Sequence, residues 1–151
     1  MGVRLPEVES IEDLVNRTVN LTPHAVTLVL QSGGVAKIPP SGKVFRLDEK
    51  EVVVGELCGI PVVEKEYELP PLENFPELRD PSRIIIVSQK VLEALQPLID
   101  KGEIKAFVVS PDTGKRVVRD TEGRIIGTEG LVTRVPRLEV ESHGGKKKRL
   151  R

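Results

Sequence analysis

The chain has 151 residues, 38% of them hydrophobic and 30% charged, with 23 basic against 23 acidic side chains. That length and balance fit one soluble globular domain able to bury its own core, and no apolar run nears the ~20 residues that cross a bilayer. A single cysteine excludes an internal disulfide framework, and residues 1–10 hold no apolar core of signal-peptide length, so the expected location is the cytoplasm, with no membrane partner.

In chain order, Ser10-Ile-Glu-Asp13 has the form of a capping box and predicts a short helix to about Asn16. Thr18 to Leu21 reads as a strand that Pro23 interrupts. Residues 25–30 (AVTLVL), apolar and rich in β-branched side chains, predict a well-buried strand, and Gln31-Ser-Gly-Gly34 turns it into a partner over Val35 to Ile38. Pro39-Pro-Ser-Gly42 leads into Lys43 to Leu47, where period-two alternation predicts another strand. Val52 to Leu57 and Ile60 to Tyr67 are strands separated by Cys58-Gly59, with Cys58 expected as a small buried thiol. Leu69 to Ser82 contains four prolines and no periodicity, which predicts a surface loop or lid.

Arg83 to Val87 is the most apolar strand and is expected at the centre of a sheet. Ser88 then caps the principal helix, to about Asp100, with Val91, Leu92, Leu95, Leu98 and Ile99 at helical spacing and Pro97 kinking or shortening it. Ile104 to Val109 is a strand, Pro111-Asp-Thr-Gly114 a turn, Arg116 to Arg119 a strand, and Thr121 to Arg124 a hairpin into Ile125 to Val135. The predicted class is α+β: a mostly antiparallel twisted sheet, or a partly closed barrel, with one principal helix. One domain is expected over 1–136 and a flexible tail over 137–151.

Charge is unevenly placed. Lys146, Lys147, Lys148, Arg149 and Arg151 stand in a terminal stretch without acids, and removing those five leaves 18 basic against 23 acidic residues, a net −5. The tail suits salt-sensitive attraction to a phosphate backbone, or docking on the acidic body of a neighbouring copy. Three Asn, three Gln, one Met and one Cys against twelve Pro point to a thermophilic source.

Candidate chemistry sits in the turns. His24 is the one histidine before the tail, a proton carrier or a donor to an anion, or else an imidazole bonded to nearby backbone. Ser88 stands at a strand-to-helix junction, where an N-cap is the commoner role than an anion contact. Pro111-Asp-Thr-Gly114 contains the Asp-Thr-Gly string of aspartic proteases, but a single copy reads better as a turn. Asp120 has Arg119 and Arg134 within sequence reach. A carboxylate-only Mg²⁺ site on Asp112 and Asp120 is the weaker metal option; with one histidine and one cysteine in the body, no metal centre and no cofactor are predicted. There is no phosphate-binding glycine loop and no serine-nucleophile elbow. Four aromatics are too few for a base-stacking platform.

Asn20-Leu-Thr-Pro-His24, Pro39-Pro-Ser-Gly42 followed by Arg46, Gly59-Ile-Pro-Val-Val63, Ile86-Val-Ser88, Pro111-Asp-Thr-Gly114, Arg119-Asp120 and Gly123-Arg-Ile-Ile-Gly127 occur in this order. The ordered set resembles a family of small uncharacterised proteins from phages, prokaryotic genomes and viruses of hyperthermophilic archaea. The resemblance covers about Val19 to Arg134. It implies a viral or mobile-element source, with the host cytoplasm as location, and it implies that His24, Ser41, Arg46, Ser88, Asp112, Arg119 and Asp120 gather at one place. It brings no activity with it.

Three functions follow as expectations. The first is an accessory protein that binds an anionic ligand, a nucleotide or a nucleic acid, through those seven residues or through the tail. The second is a structural homo-oligomer with a basic arm. The third is a small hydrolase or transferase using His24 with Asp112 or Asp120 as an acid–base pair.

Overall fold

A computed structural model describes residues 5–136. The expected basic tail, with Lys146, Lys147, Lys148, Arg149 and Arg151, lies outside the described residues. Among the described residues no helix is long and apolar enough to cross a membrane.

The run Ile84-Ile-Ile-Val87 decides the architecture, because a strand apolar at every position must be covered on both faces. Strand β6 (Ile84–Ile86) lies between β1 (Thr18–Asn20) and β7 (Phe107–Pro111) and pairs with both in parallel. Strand β10 (Leu131–Thr133) closes the other side of β7 antiparallel, giving the order β1-β6-β7-β10. Ile85, Val87 and Val108 point to one side, where they pack with Val91, Leu92, Leu95 and Ile99 of α2 (Gln89–Ala94) and α3 (Gln96–Asp100). Ile84, Ile86 and Val109 point to the other, against a second sheet.

That second sheet has the order β3-β2-β9-β8, built from β2 (Val26–Val29), β3 (Val35–Ile38), β8 (Val117–Arg119) and β9 (Ile125–Thr128). Val26, Leu28, Ala36 and Ile38 alternate with outward residues, and α1 (Ile11–Arg17) adds Leu14 and Val15 to the same core. The result is three layers: sheet, sheet, helices. The class is α+β, with three α-helices and ten strands among the described residues and no closed barrel. Four of the strand pairs among the described residues are antiparallel, and three, β1–β6, β6–β7 and β2–β9, are parallel. The α2–α3 pair supplies the crossover that parallel neighbours β6 and β7 require.

The principal helix divides at Leu95, where Pro97 opens α3. Ser88 Oγ accepts from Val91 N at 3.2 Å, and Gly102 (φ 76°) follows the helix end. Ser10 Oγ accepts from Asp13 N at 3.0 Å and starts α1 as its sequence predicts.

Five expectations are corrected. Lys43 to Leu47 forms no strand; Phe45 turns inward and its N–H donates to Leu21 O at 2.9 Å, so one loop contact replaces a ladder. Leu69 to Ser82 is no lid: two 3₁₀ turns, Leu72–Asn74 and Pro76–Arg79, seat Phe75 and Leu78 in the core, with the Phe75 ring 4.7 Å from that of Phe45. Residues 125–135 break into β9 and β10 in different sheets, with Gly130 at the corner. Ala25 lies exposed, just outside β2.

The last correction concerns Cys58. Among the described residues, strands β4 (Asp48–Leu57) and β5 (Ile60–Glu68) pair only with each other, as a two-stranded ribbon in which every residue is exposed. Cys58 (φ 49°) and Gly59 (φ 81°) form its two-residue turn, and the thiol is at the exposed tip. Two consecutive positive φ values suit Asn-Gly far better than Cys-Gly. Replacement Cys58→Asn is therefore expected to slow amide exchange across the ribbon, equivalent to about 1 kcal/mol of added local stability; unchanged exchange would mean the turn carries no strain.

Candidate functional site

Parallel β1, β6 and β7 all end on the same edge of their sheet, and three of the turn strings leave from those ends. Leu21-Thr22-Pro23-His24 follows β1, Val87-Ser88 follows β6, and Asp112-Thr113-Gly114 follows β7. In open sheets with parallel strands this carboxyl edge is where ligands sit.

Asn20 shapes the first of these segments. Its side chain is 1% exposed and fully paired: Nδ2 donates to His24 O (2.8 Å) and Ile38 O (3.1 Å), while Oδ1 accepts from Thr22 N (3.0 Å) and Thr22 Oγ1 (2.7 Å). The backbone adds Ser41 N to Asn20 O and Leu21 N to Ile86 O, each 2.9 Å. One carboxamide thus bends the chain after β1 and ties it to the end of β3.

Between this bend, the 43–47 segment, the start of α2 and the base of the ribbon lies a hollow of about 270 Å³. Leu21, Phe45 and Val91 give it an apolar floor, while Arg46, Lys90, Thr22 and Ser88 supply cations and hydroxyls. Neither Arg46 nor Lys90 belongs to an ion pair formed among the described residues, whereas eight such pairs exist elsewhere. Lys90 Nζ donates to Tyr67 Oη at 3.1 Å and stands 4.4 Å from the centre of that ring. The hydrogen bond to Tyr67 is the main cause that holds the ammonium above its ordinary pKa, and the Tyr67, Glu49 and Glu93 charges act in the same direction.

Of the seven residues expected to gather, Arg46 and Ser88 line this hollow, and exposed His24 lies one residue beyond its lining Pro23. Ser41 does not line it; its Oγ bonds within its own turn, to Lys43 N and O at 3.3 Å. Asp112 Oδ1 accepts from Gly114 N at 2.9 Å, so it closes the Pro111–Gly114 turn. That turn still borders the start of α2, because Gln89 Nε2 reaches Pro111 O at 3.4 Å. Arg119 donates to Gly123 O at 2.7 Å and belongs to the β8–β9 hairpin. Asp120 organises the same hairpin by accepting from Glu122 N, Arg124 N and Arg124 Nε. Arg134 pairs instead with Glu93 at 3.5 Å. Asp112, Arg119 and Asp120 therefore stand outside the hollow, each spent on local geometry.

Lys90, Tyr67, Thr22 and Glu49 are the lining residues that sequence reading passed over. Lys90 follows the recognised N-cap Ser88 by two residues, which was the available signal. Tyr67 gave none, since nothing local links it to Lys90. Among the described residues no group of three or more His, Cys, Asp or Glu stands together as a metal site requires.

No family model, no curated protein and no solved structure matches this chain.

Donors from the Arg124 backbone, then those from Glu122, the Arg124 side chain and Gly123, hold Asp120 below the usual carboxylate range; the Ser82 hydroxyl and N–H do the same for Asp80. A depressed folded pKa means that the stabilisation is complete above the ordinary carboxylate value and is lost as pH falls through the lower folded value. An NMR titration should show both carboxyls protonating below the ordinary carboxylate value, and Asp120→Asn should remove the acid-induced loosening of the β8–β9 hairpin. Titration of Asp120 at the ordinary value would contradict the hairpin account.

Proposed function

We propose that the protein binds an anionic ligand, a nucleotide or a nucleic-acid end, in the hollow at the carboxyl edge of the parallel strands. The observation that carries this reading is the pair of cations, Arg46 and Lys90, left without ion-pair partners among the described residues beside the hydroxyls of Thr22 and Ser88. Arg46 offers a planar fork for a phosphoryl group. Lys90, resting on Tyr67, adds a positioned point charge. The apolar floor suits the non-ionic part of the ligand, and a volume near the lower end of ligand pockets suits one phosphorylated unit rather than a wide surface. An accessory protein of a virus or mobile element in a hot environment is the setting that the shared strings and the composition support.

A second reading, self-association as a structural protein, is favoured by the fully exposed β4–β5 ribbon. The acid–base reading has the least support, because Asp112 and Asp120 accept hydrogen bonds that fix their own turns.

Thermal unfolding with mononucleotides, inorganic phosphate and short oligonucleotides tests the anion reading. Ligand at a hundred times Kd should stabilise the protein by about 2.7 kcal/mol. Arg46→Ala and Lys90→Ala should each weaken binding roughly tenfold or more, the scale of one charge-assisted contact. Nucleotides acting alone would assign a free ligand, and oligonucleotides alone a nucleic-acid end. No stabilisation by any of the three would overturn the proposal.

A further inference from the structure

Hydrogen-bond direction is fixed at most polar atoms around the hollow, and it divides them into donors and acceptors. Thr22 Oγ1 has one proton and two acceptors for it, Asn20 Oδ1 at 2.7 Å and His24 O at 3.0 Å. The Asn20 carboxamide cannot turn to offer its nitrogen instead, since Nδ2 already donates to His24 O and Ile38 O. The Thr22 proton is therefore held by the bend after β1, and towards a ligand Thr22 can only accept.

Ser88 is the converse. Its Oγ accepts from Val91 N, and among the described residues no acceptor takes its proton, so towards the hollow it donates. Tyr67 Oη likewise accepts from Lys90 Nζ and keeps its own proton to give.

Glu49, where the ribbon joins the body, is a second acceptor in the lining. Lys65 Nζ stands 3.4 Å from its Oε2, while Oε1 has no partner among the described residues. Glu49 forms no ion pair with Arg46 or Lys90, although its charge reaches the Lys90 ammonium. The lining thus presents Arg46, Lys90, Tyr67 and Ser88 as donors, and Thr22 and Glu49 as acceptors. A bare phosphate satisfies the first group but sets its own lone pairs against those of the second. An ammonium group would suit Glu49 and be repelled by the two cations. A neutral donor, a hydroxyl, meets both conditions.

We propose that the hollow takes a phosphate monoester whose alcohol part carries vicinal hydroxyls, a sugar phosphate or the ribose phosphate of a ribonucleotide, and that Thr22 and Glu49 select for those hydroxyls. This rests on the anion reading and adds the polarity of the ligand to it. The phosphoryl oxygens face Arg46 and Lys90, with Ser88 donating. The two hydroxyls donate to Glu49 Oε1 and Thr22 Oγ1, and the apolar floor of Leu21, Phe45 and Val91 lies against carbon. A deoxy sugar leaves one of the two acceptors unpaired and is rejected on that ground. The Glu49 charge also disfavours ligands with further phosphates, an exclusion built from repulsion.

Isothermal titration calorimetry of the full chain at one salt concentration tests this with five compounds: methyl phosphate, ribose-5-phosphate, deoxyribose-5-phosphate, adenosine monophosphate and deoxyadenosine monophosphate. Each ribo compound should bind about tenfold tighter than its deoxy counterpart, the scale of one hydrogen bond to a charged acceptor. Methyl phosphate should bind more weakly than ribose-5-phosphate. Adenosine monophosphate binding above ribose-5-phosphate would assign a ribonucleotide, and equal binding a free sugar phosphate; either supports the proposal. In Glu49→Ala, methyl phosphate should bind tighter, because a like charge is gone, while the ribo-to-deoxy ratio falls toward one. The same factor of loss for all five compounds would instead make Glu49 merely structural and overturn its selecting role. Equal binding of ribo and deoxy forms by the native chain would overturn the hydroxyl selection and leave the anion reading standing. Binding of none of the five would overturn the anion reading and the selection with it.

Discussion

One buried carboxamide sets the geometry on which the rest depends. Asn20 ends β1 in the central sheet, yet it donates to the carbonyl that ends β3 in the second sheet and accepts from the turn that follows its own strand. Every polar atom it carries is used, and at 1% exposure no water could substitute for a lost partner. It thereby fixes the two sheets to each other at one corner. It also fixes the bend that delivers Thr22 and Pro23 to the hollow, while the backbone of the same bend holds Phe45, and with it Arg46, in place. A leucine of similar size would fill the volume and satisfy none of these groups.

Thr128 does comparable work at the opposite corner. Its hydroxyl, 4% exposed, lies 2.6 Å from Asp112 O and within 3.3 Å of Arg116 O and Gly130 O, where the chain leaves the second sheet to enter the central one. Such positions pass for ordinary polar residues in a linear reading. In space, they are where irregular backbone is allowed to be buried because a side chain completes its hydrogen bonds.

Much of the fold was legible from residue pattern. The helix caps at Ser10 and Ser88, the Gly-Gly hairpin, the central apolar strand and the break at Pro97 all have local causes, and the structure follows them. What was not legible depends on partners distant in sequence. Lys43 to Leu47 alternates like a strand but finds no neighbour to pair with. Phe75 looked like part of a proline-rich loop until Phe45 came to meet it. The runs Val52 to Leu57 and Ile60 to Tyr67 announced strands without saying that neither face would be buried, since strand-forming composition records pairing and not coverage. The site divides the same way. Turn strings after β1 and β6 reached one hollow because their strands are parallel neighbours, whereas Asp112, Arg119 and Asp120 were attractive for the very chemistry that makes them good turn residues.

The strand orders, β1-β6-β7-β10 and β3-β2-β9-β8, interleave early and late parts of the chain. On the ribosome, β1 to β3 emerge first and find no lasting partners beyond the β2–β3 hairpin. The central sheet can begin only when Ile84 to Ile86 has been made, and both sheets still lack members until residues 117–133 arrive. Folding of both sheets is therefore deferred until residues 117–133 have been made. During that wait the nascent chain presents Val26 to Val29 and Ile84 to Val87 uncovered, which makes speed of synthesis and local chaperone supply part of this protein's stability in the cell.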